Sequence, residues 1–527
     1  MTRPAQAGRT IGIDLGTDTS AVAAMGNAGE PIIIPGSAAG VAIRSLVSLV
    51  DGPGGEPEML AGARAERAAN RGEERLRLRG FKQLMGRRFD DPEVERLAPW
   101  LPYALAAAPN GDAWLTARGL ALSPPELSAL VLRELRLAAE SYLDEPIAEA
   151  VIAVPARFDN EQRRATRDAG EIAGLTVRRL INEPTAAVLG AGAHRGPDRR
   201  LAVCDLGAGS FDVSIVVVEQ GVVEVISTSG DLFLGGDDVD RLVLDHLLEE
   251  IGQQHDVDLA ADPAALQLLL GACRGAKHQL SQSARADIEV ALADDEGAPL
   301  EVRRALHREE LEQWSESLLN LLEPPCLESA ARCGLRPAEL DEVLLVGGAT
   351  RMPAVQRKVA AIFGRPPTVA NRHEVVALGA AVLGGVLDGT ADPVAVLDVT
   401  SRAIGLHMGN GKYQQVIPRN TTVPGREQKI VATTAPGQRE LELDVYEGDS
   451  PDVRDNRLLG RFVCSGLPAA PAGQVVIALD FTVDVDGTLH LRAREMGGDG
   501  RTELHLRATA GLTRADVRRL RDGLAAR

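Results

Sequence analysis

Along most of the chain, short unbroken apolar runs alternate with stretches of helical spacing, and after about residue 399 strict two-residue alternation takes over. The runs Pro31-Ile-Ile-Ile34, Ser45-Leu-Val-Ser-Leu-Val50, Val151-Ile-Ala-Val154 and Leu344-Leu-Val346 predict short or buried strands. Helices are predicted where capping residues meet helical spacing. Ser123-Pro-Pro-Glu126 starts one towards Tyr142, and Asp159-Asn-Glu-Gln162 is a capping box for another through Gly170. Helical spacing also covers Asp237 to Ser283 in two stretches, the second from Pro263 to Leu280, then Glu310 to Cys333 and the small-residue segment Glu374 to Leu387. The dense Arg and Glu of residues 66–80 predict a solvated helix, with a nucleic-acid patch as the alternative. Further on, Glu440-Leu-Glu-Leu-Asp-Val-Tyr-Glu447 alternates strictly, and Val475 to Arg492 reads as strands turning at Asp486-Gly487, so an antiparallel sandwich follows the α/β part.

Two runs fold back on themselves in the same way. Leu201 to Val216 reads as two apolar strands around a small-residue turn with an acid at its mouth. Gly207, Ala208 and Gly209 leave room for backbone N–H groups to converge on an anion, while Asp205, Ser210 and Asp212 supply oxygens to a hydrated metal and a water. Alone, the turn is equally a plain Gly-rich hairpin. Ile11 to Val22 repeats it, with Asp14, Gly16, Thr17 and Asp18, which implies two similar half-domains. Hairpins facing each other would set Asp14 and Asp205 on either side of one nucleotide, each holding water on a magnesium ion. A third stretch, Val343 to Pro353 with Gly347, Gly348, Ala349 and Arg351, ends a buried strand and opens a helix whose N-terminal dipole favours phosphate.

A chain of 527 residues exceeds one core, so roughly two to four domains are expected. The net charge of -18, from 75 acids against 57 bases, argues against nucleic acid as the main partner. No run approaches the ~18 apolar residues of a membrane span, and Met1 to Gln6 lacks a signal-peptide core, which predicts a cytoplasmic protein with no membrane partner. Cysteines at 204, 273, 326, 333 and 464 form no CxxC pair, so neither zinc nor a disulfide framework is indicated. Cys326 and Cys333 could share a helix face and read as buried small hydrophobes.

With Lys82 to Phe89, Val154 to Phe158, Ile181 to Ala187 and Leu234 to Asp240 in the same order, these stretches resemble the seventy-kilodalton heat-shock chaperones, the DnaK-like family. The similarity runs from about Ile11 to Leu512. It implies an actin-like ATPase of two ribonuclease-H-like lobes over residues 10–388, a linker at 389–398 and a β-sandwich peptide-binding domain at 399–510. Residues 511–527 would form a short helix, about four turns, where the family carries a helical lid. The implied cofactors are ATP or ADP and Mg2+. The resemblance gives Lys82 to the transferred phosphate and Glu183 to the attacking water and the γ-phosphate, with Asp14, Asp205 and Ser210 completing the transfer site. Gly235, Gly236, Lys277, His278 and Ser281 match further nucleotide contacts. Four positions depart from the pattern: Asp18 for threonine, Ala208 for glycine, Arg274 for the acid that holds the ribose, and His373 for an acid near the base. They are expected to weaken nucleotide binding, Asp18 by about 1–4 kcal/mol of repulsion unless it points away or binds metal-held water.

Pro155 and Arg163 match residues that relay nucleotide state, and Val394 to Asp398 matches the linker that docks as a strand in one state; a plain first strand of the sandwich is the alternative. Arg179, Asn182 and Thr185 match positions that receive a J-domain co-chaperone, and a nucleotide exchange factor is a further possible partner. Leu406, Met408, Val431, Leu441 and Leu443 match the peptide pocket, although any sandwich buries such residues. The resemblance implies an ATP-dependent chaperone for extended apolar segments of unfolded proteins. The rival reading is a nucleotide-gated scaffold with little turnover; a sugar kinase on the same fold is disfavoured by the sandwich and linker.

Overall fold

The computed structural model describes residues 8–36, 40–52, 54–293, 298–370, 374–407, 412–496 and 511–525; Met408 and His373 lie outside them. One sheet topology occurs twice. In the first lobe Thr10–Leu15 pairs antiparallel with Thr19–Met25, which pairs antiparallel with Pro31–Ile34; on its other side it runs parallel to Glu149–Val154, followed by Thr176–Asn182. The second lobe repeats this with Arg199–Leu206, Phe211–Glu219 and Val222–Asp231, and with Glu342–Val346 and Thr368–Val369 parallel on the other side. Both hairpin sheets are covered on two faces, which is why their strands read as unbroken apolar runs.

The lobes meet at the base of the cleft through the helices Glu183–Gly190 and Val375–Asp388. A Cβ at Gly379 would lie 1.7 Å from the Ala186 carbonyl oxygen, and one at Gly12 2.1 Å from the Ala381 nitrogen. The small residues of this segment are therefore a packing requirement. The predicted helix Pro263–Leu280 forms with those bounds, and the capping box at Asp159 and Gln162 is made in full, its helix ending at Ile172.

The solvated helix expected over residues 66–80 is corrected. The helix is Gly62–Asn70, and after a turn at Gly72 Glu74–Arg79 is a strand paired with Leu46–Asp51. In Glu74-Arg-Leu-Arg-Leu-Arg79 the leucines alternate with charges and Leu78 is fully buried, a two-residue period masked by the charge density. Glu310 to Cys333 likewise divides into Arg308–Asn320 and Glu323–Arg332. After Glu342–Val346 the chain enters a 3-10 turn, Gly348–Arg351, before the helix Pro353–Phe363, instead of opening a helix directly.

The sandwich packs the sheet Tyr413–Ile417, Ile404–His407, Glu440–Glu447, Arg457–Ser465 on the sheet Gly425–Ala432, Val476–Val483, Leu489–Met496. Ala395–Val399 joins the two parts. It runs parallel to Val222–Asp231 of the second lobe and antiparallel to Thr422–Val423. The terminal helix Arg514–Ala525 lies on the first lobe, where Leu512, Val517 and Leu524 enter the same apolar core as Leu84 and Ala165. Among the described residues no helix is long and apolar enough to cross a membrane.

Candidate functional site

A cavity of about 840 Å³ lies between the lobes, within the roughly 300–1,000 Å³ of small-molecule sites. It gathers the three Gly stretches predicted from sequence: Asp14, Gly16, Thr17 and Asp18; Gly207, Ala208, Gly209 and Ser210; and Gly347, Gly348, Ala349 and Arg351. Lys82, Pro155, Glu183, Asp205, Gly236, Lys277, His278 and Ser281 also line it. Gly235 stands behind, where a Cβ would come within 2.3 Å of the Ala208 carbonyl oxygen, and Asp212 is buried opposite Asp205 in the hairpin register. Gly347 has φ +88°, and a Cβ there would lie 2.5 Å from Asp205 Oδ1, so backbone conformation and close approach both require glycine.

At one end Lys82 Nζ meets Glu183 Oε1 at 3.0 Å, with both side chains buried. Lys82 sits in the 3-10 turn Phe81–Leu84; Glu183 is the first residue of a helix whose next residue is Pro184. Burial, then Glu183, push the Asp14 carboxyl up to about 7 against the pull of Lys82. Burial, Glu183 and Asp14 push Asp205 well above the carboxylate range, and burial raises Asp212 to about 6. Burial works against the charge of Lys82, but Glu183, Asp14 and Asp205 more than offset it. Burial and crowding thus favour the protonated forms of these carboxyls in the protein alone, and Asp212 Oδ1 is buried without a hydrogen-bond partner among the described residues. Among the described residues no group of three acids, histidines or cysteines could hold a metal directly. This donor set fits a divalent cation held through water by Asp14 and Asp205.

At the other end Arg274 Nη1 lies 3.0 Å from Asp18, Nη2 2.7 Å from Asp237 and Nε 3.0 Å from Asp240. Arg44 pairs with the other Asp18 oxygen at 3.0 Å, and Lys277 with Asp240 at 2.7 Å. Burial alone would raise the Asp18 carboxyl, but Arg274 and Arg44 hold it below its usual value. The repulsion expected of Asp18 is therefore offset, because its charge is spent on these arginines. Asp18 and Arg274 are compensating departures, one from each lobe. Their opposite signs were the signal for the pair, while Arg44, Asp237 and Asp240 carried none. Burial, with Lys277, lowers the His278 pKa and favours the neutral imidazole.

Of the residues matched to coupling and to a co-chaperone, Pro155 lines the cavity, while Arg163, Arg179, Asn182 and Thr185 lie where the first lobe meets the linker strand and the sandwich. Arg163 donates to the Asp486 carbonyl at 2.9 Å and to Asn182 Oδ1 at 2.7 Å, and Thr185 donates to Asp398 Oδ1 at 2.7 Å. Asp486 Oδ1 accepts from the Leu180 N–H at 2.9 Å and stands 3.3 Å from Arg179 Nε. Arg179, Asn182 and Thr185 are thus engaged within the chain in this arrangement. Arg457 of the sandwich donates to the Gly86 carbonyl at 2.6 Å and pairs with Asp159. Sequence reading missed Asp486 and Arg457, whose partners lie hundreds of residues away. Of the expected peptide positions, Leu406 and Leu443 are buried in the sandwich core, while Val431 and Leu441 are half-buried at its edge.

A repeated ribonuclease-H-like sheet, Gly-rich loops gathered at the cleft between the two copies, and a β-sandwich joined by a shared strand define a two-lobed α/β protein with an appended sandwich domain. The family model for Hsp70 protein matches residues 10–525. The chain belongs to the Hsp70 family, chaperones built on an actin-like ATPase and a β-sandwich substrate domain, whose members bind ATP with Mg2+ and hydrolyse it.

Proposed function

We propose that this chain is an ATP-dependent chaperone whose residues 10–388 hydrolyse ATP and whose residues 399–510 hold extended apolar peptide, coupled through residues 389–398. The observation that carries the reading is Ala395–Val399, which continues the second-lobe sheet on one edge and pairs with Thr422–Val423 on the other. A strand shared in this way gives the sandwich a direct stake in how the lobes close.

Magnesium nucleotide in the cleft supplies the scissile phosphate and the cation that offsets the surrounding carboxylates. Lys82 is buried and charged beside it, so its ammonium stabilises charge building on the transferred phosphoryl oxygens. Glu183, fixed by its 3.0 Å contact with Lys82, orients the attacking water. Asp14, Asp205 and Ser210 hold the surrounding waters. Backbone N–H groups of the Gly stretches receive the remaining phosphate oxygens, and Lys277, His278 and Ser281 take the adenosine end. In the sandwich, Val431 and Leu441 offer half-buried apolar contacts, with Leu406 and Leu443 as the floor beneath. A J-domain co-chaperone reaches Arg179, Asn182 and Thr185 once the sandwich moves off them, and an exchange factor would act on the cleft.

Single-turnover ATP hydrolysis with and without an apolar peptide tests the reading. Peptide-stimulated hydrolysis is expected; nucleotide binding with no turnover in either condition would leave the scaffold reading in its place.

A further inference from the structure

A further set of contacts joins the two lobes, carried by aromatic rings where the Asp18 to Arg274 contact is carried by charge. The first lobe contributes the short helix Pro92–Leu97 and the 3-10 turn Ala98–Trp100, seated through Val94 and Leu97 in the first-lobe core. The second lobe contributes residues 231–235, between the strand Val222–Asp231 and the helix Gly236–His255. The guanidinium carbon of Arg96 lies 4.3 Å from the centre of the Phe233 ring, and that of Arg241 lies 4.9 Å from the centre of the Trp100 ring. Each lobe thus supplies one cation and one ring, and a cation over a ring face is attracted by its quadrupole.

Phe233 is half-buried against the first-lobe core, whose other members all come from residues 11–180 or 512–524. Leu234, the next residue, is 2% exposed in the second-lobe core. Adjacent side chains are therefore anchored in opposite lobes, and the lobes part here only by withdrawing the Phe233 ring. The segment that carries them is held at both ends: the Phe233 N–H donates to Asp231 Oδ1 and the Gly235 N–H to Asp238 Oδ2, each at 2.8 Å. Arg241 Nη1 donates to the other Asp238 oxygen at 2.9 Å, which ties the second ring contact to the same segment. The segment also runs to the cavity, where the Gly236 N–H donates to the Gly207 carbonyl at 3.0 Å and the Asp237 N–H to the Ala208 carbonyl at 2.7 Å. Leu97, Phe233, Gly207 and Ala208 all line that cavity.

We propose that Phe233 is the wedge that closes the interlobe cleft, withdrawn from the first lobe each time the cavity opens to admit or release its ligand. Arg96 and the contact of Arg241 with Trp100 steady the closed position from the surface, where Trp100 is 39% exposed. Because the wedge and the turn Gly207 to Gly209 are joined through one hydrogen-bonded segment, seating the wedge also sets that turn against the cavity. What concerns ADP rests on the ATPase reading; the closing of the lobes does not.

Two measurements on the full chain test the wedge. In nucleotide-free protein carrying Trp114→Phe and Trp314→Phe, Trp100 is the one tryptophan left of three, and acrylamide quenching of its fluorescence reports how well it is covered. Phe233→Ala and Arg96→Gln are expected to raise that quenching, although the contact they remove is the one between Arg96 and Phe233. The second measurement is the dissociation rate of a fluorescent ADP in the presence of Mg2+. Phe233→Ala should speed release by about tenfold or more, the scale of a lost ring burial and cation–π contact together. Arg96→Gln and Arg241→Gln should speed it by about two- to fivefold. Phe233→Tyr, which keeps the ring face, should leave both readouts at the parent's values. Arg96→Gln alters an exposed side chain and decides the matter if Phe233→Ala fails to fold. Unchanged Trp100 quenching in both variants, or ADP release at the parent's rate in both, overturns the wedge. If the parent does not bind ADP, the ATPase reading fails separately, and the quenching alone decides whether Phe233 holds the lobes together.

Discussion

The two ends of the interlobe cleft are both rich in acids, yet they are built on opposite charge arithmetic. At the transfer end Asp14, Glu183, Asp205 and Asp212 surround Lys82, and burial with mutual repulsion drives Asp14 to about 7 and Asp205 higher than usual. At the adenosine end Asp18, Asp237 and Asp240 are met by Arg274, Arg44 and Lys277 at 2.7–3.0 Å. One end is incomplete without an added cation; the other is complete in the protein alone. On the function proposed above, the cleft leaves unbalanced only the end assigned to phosphoryl transfer, while the balanced end bridges the lobes through Asp18 and Arg274.

Removing the cation from the unbalanced end should have the largest effect. Lys82→Ala is expected to lower single-turnover hydrolysis by roughly a hundredfold or more, the scale of one lost preorganised electrostatic contact. ADP affinity should survive, because the adenosine end does not use Lys82. Hydrolysis equal to that of the parent would break the assignment of the transfer end.

The balanced end makes a smaller, pairwise prediction. In a double-mutant cycle of Asp18→Asn and Arg274→Gln, read as thermal stability and as the ADP dissociation rate, the coupling should be about 0.5–3 kcal/mol, with the single variants releasing ADP faster. The pH dependence has a definite sign. Asp18 is held below its ordinary value of 3.8, so its contribution is present above that value and is lost only as pH falls through the lower folded value. The coupling should therefore be level between pH 8 and pH 5.5. A coupling that decays across that window would show that Arg274 and Arg44 do not hold Asp18 ionised.

The contrast between the ends was partly legible in the sequence. That Asp14, Gly16, Asp205 and Gly207 belong together was legible because a small-residue turn with an acid at its mouth is a local pattern, repeated within each hairpin, and all four line one cavity. The sheets declared themselves through apolar runs. Compensation was not legible in the same way: Asp18 looked harmful because its partner lies 256 residues away. The strand Glu74–Arg79 was hidden for another reason, since arginines on its outer face outweigh the inward leucines in any composition count. Asp486 read as half of a turn, which it is, while its contacts with Arg163, Arg179 and Leu180 depend on a docking between domains that no local pattern encodes.

The smallest effect is expected where apolar area, not charge, joins the parts. In Ala395–Val399 the first residue is exposed and Val396 is half-buried against the second-lobe core. Ala395→Leu with Val396→Leu adds apolar surface that is covered only while the strand is docked, perhaps ~1 kcal/mol at ~25 cal/mol per Å². Docking should tighten, and basal hydrolysis or its stimulation by peptide should rise by several-fold at most. Since neither end of the cleft is touched, the ADP dissociation rate should respond less than it does to the Asp18 or Arg274 variants. A larger response in ADP release than in hydrolysis would mean that the linker, and not the ion pairs, sets how tightly the lobes close.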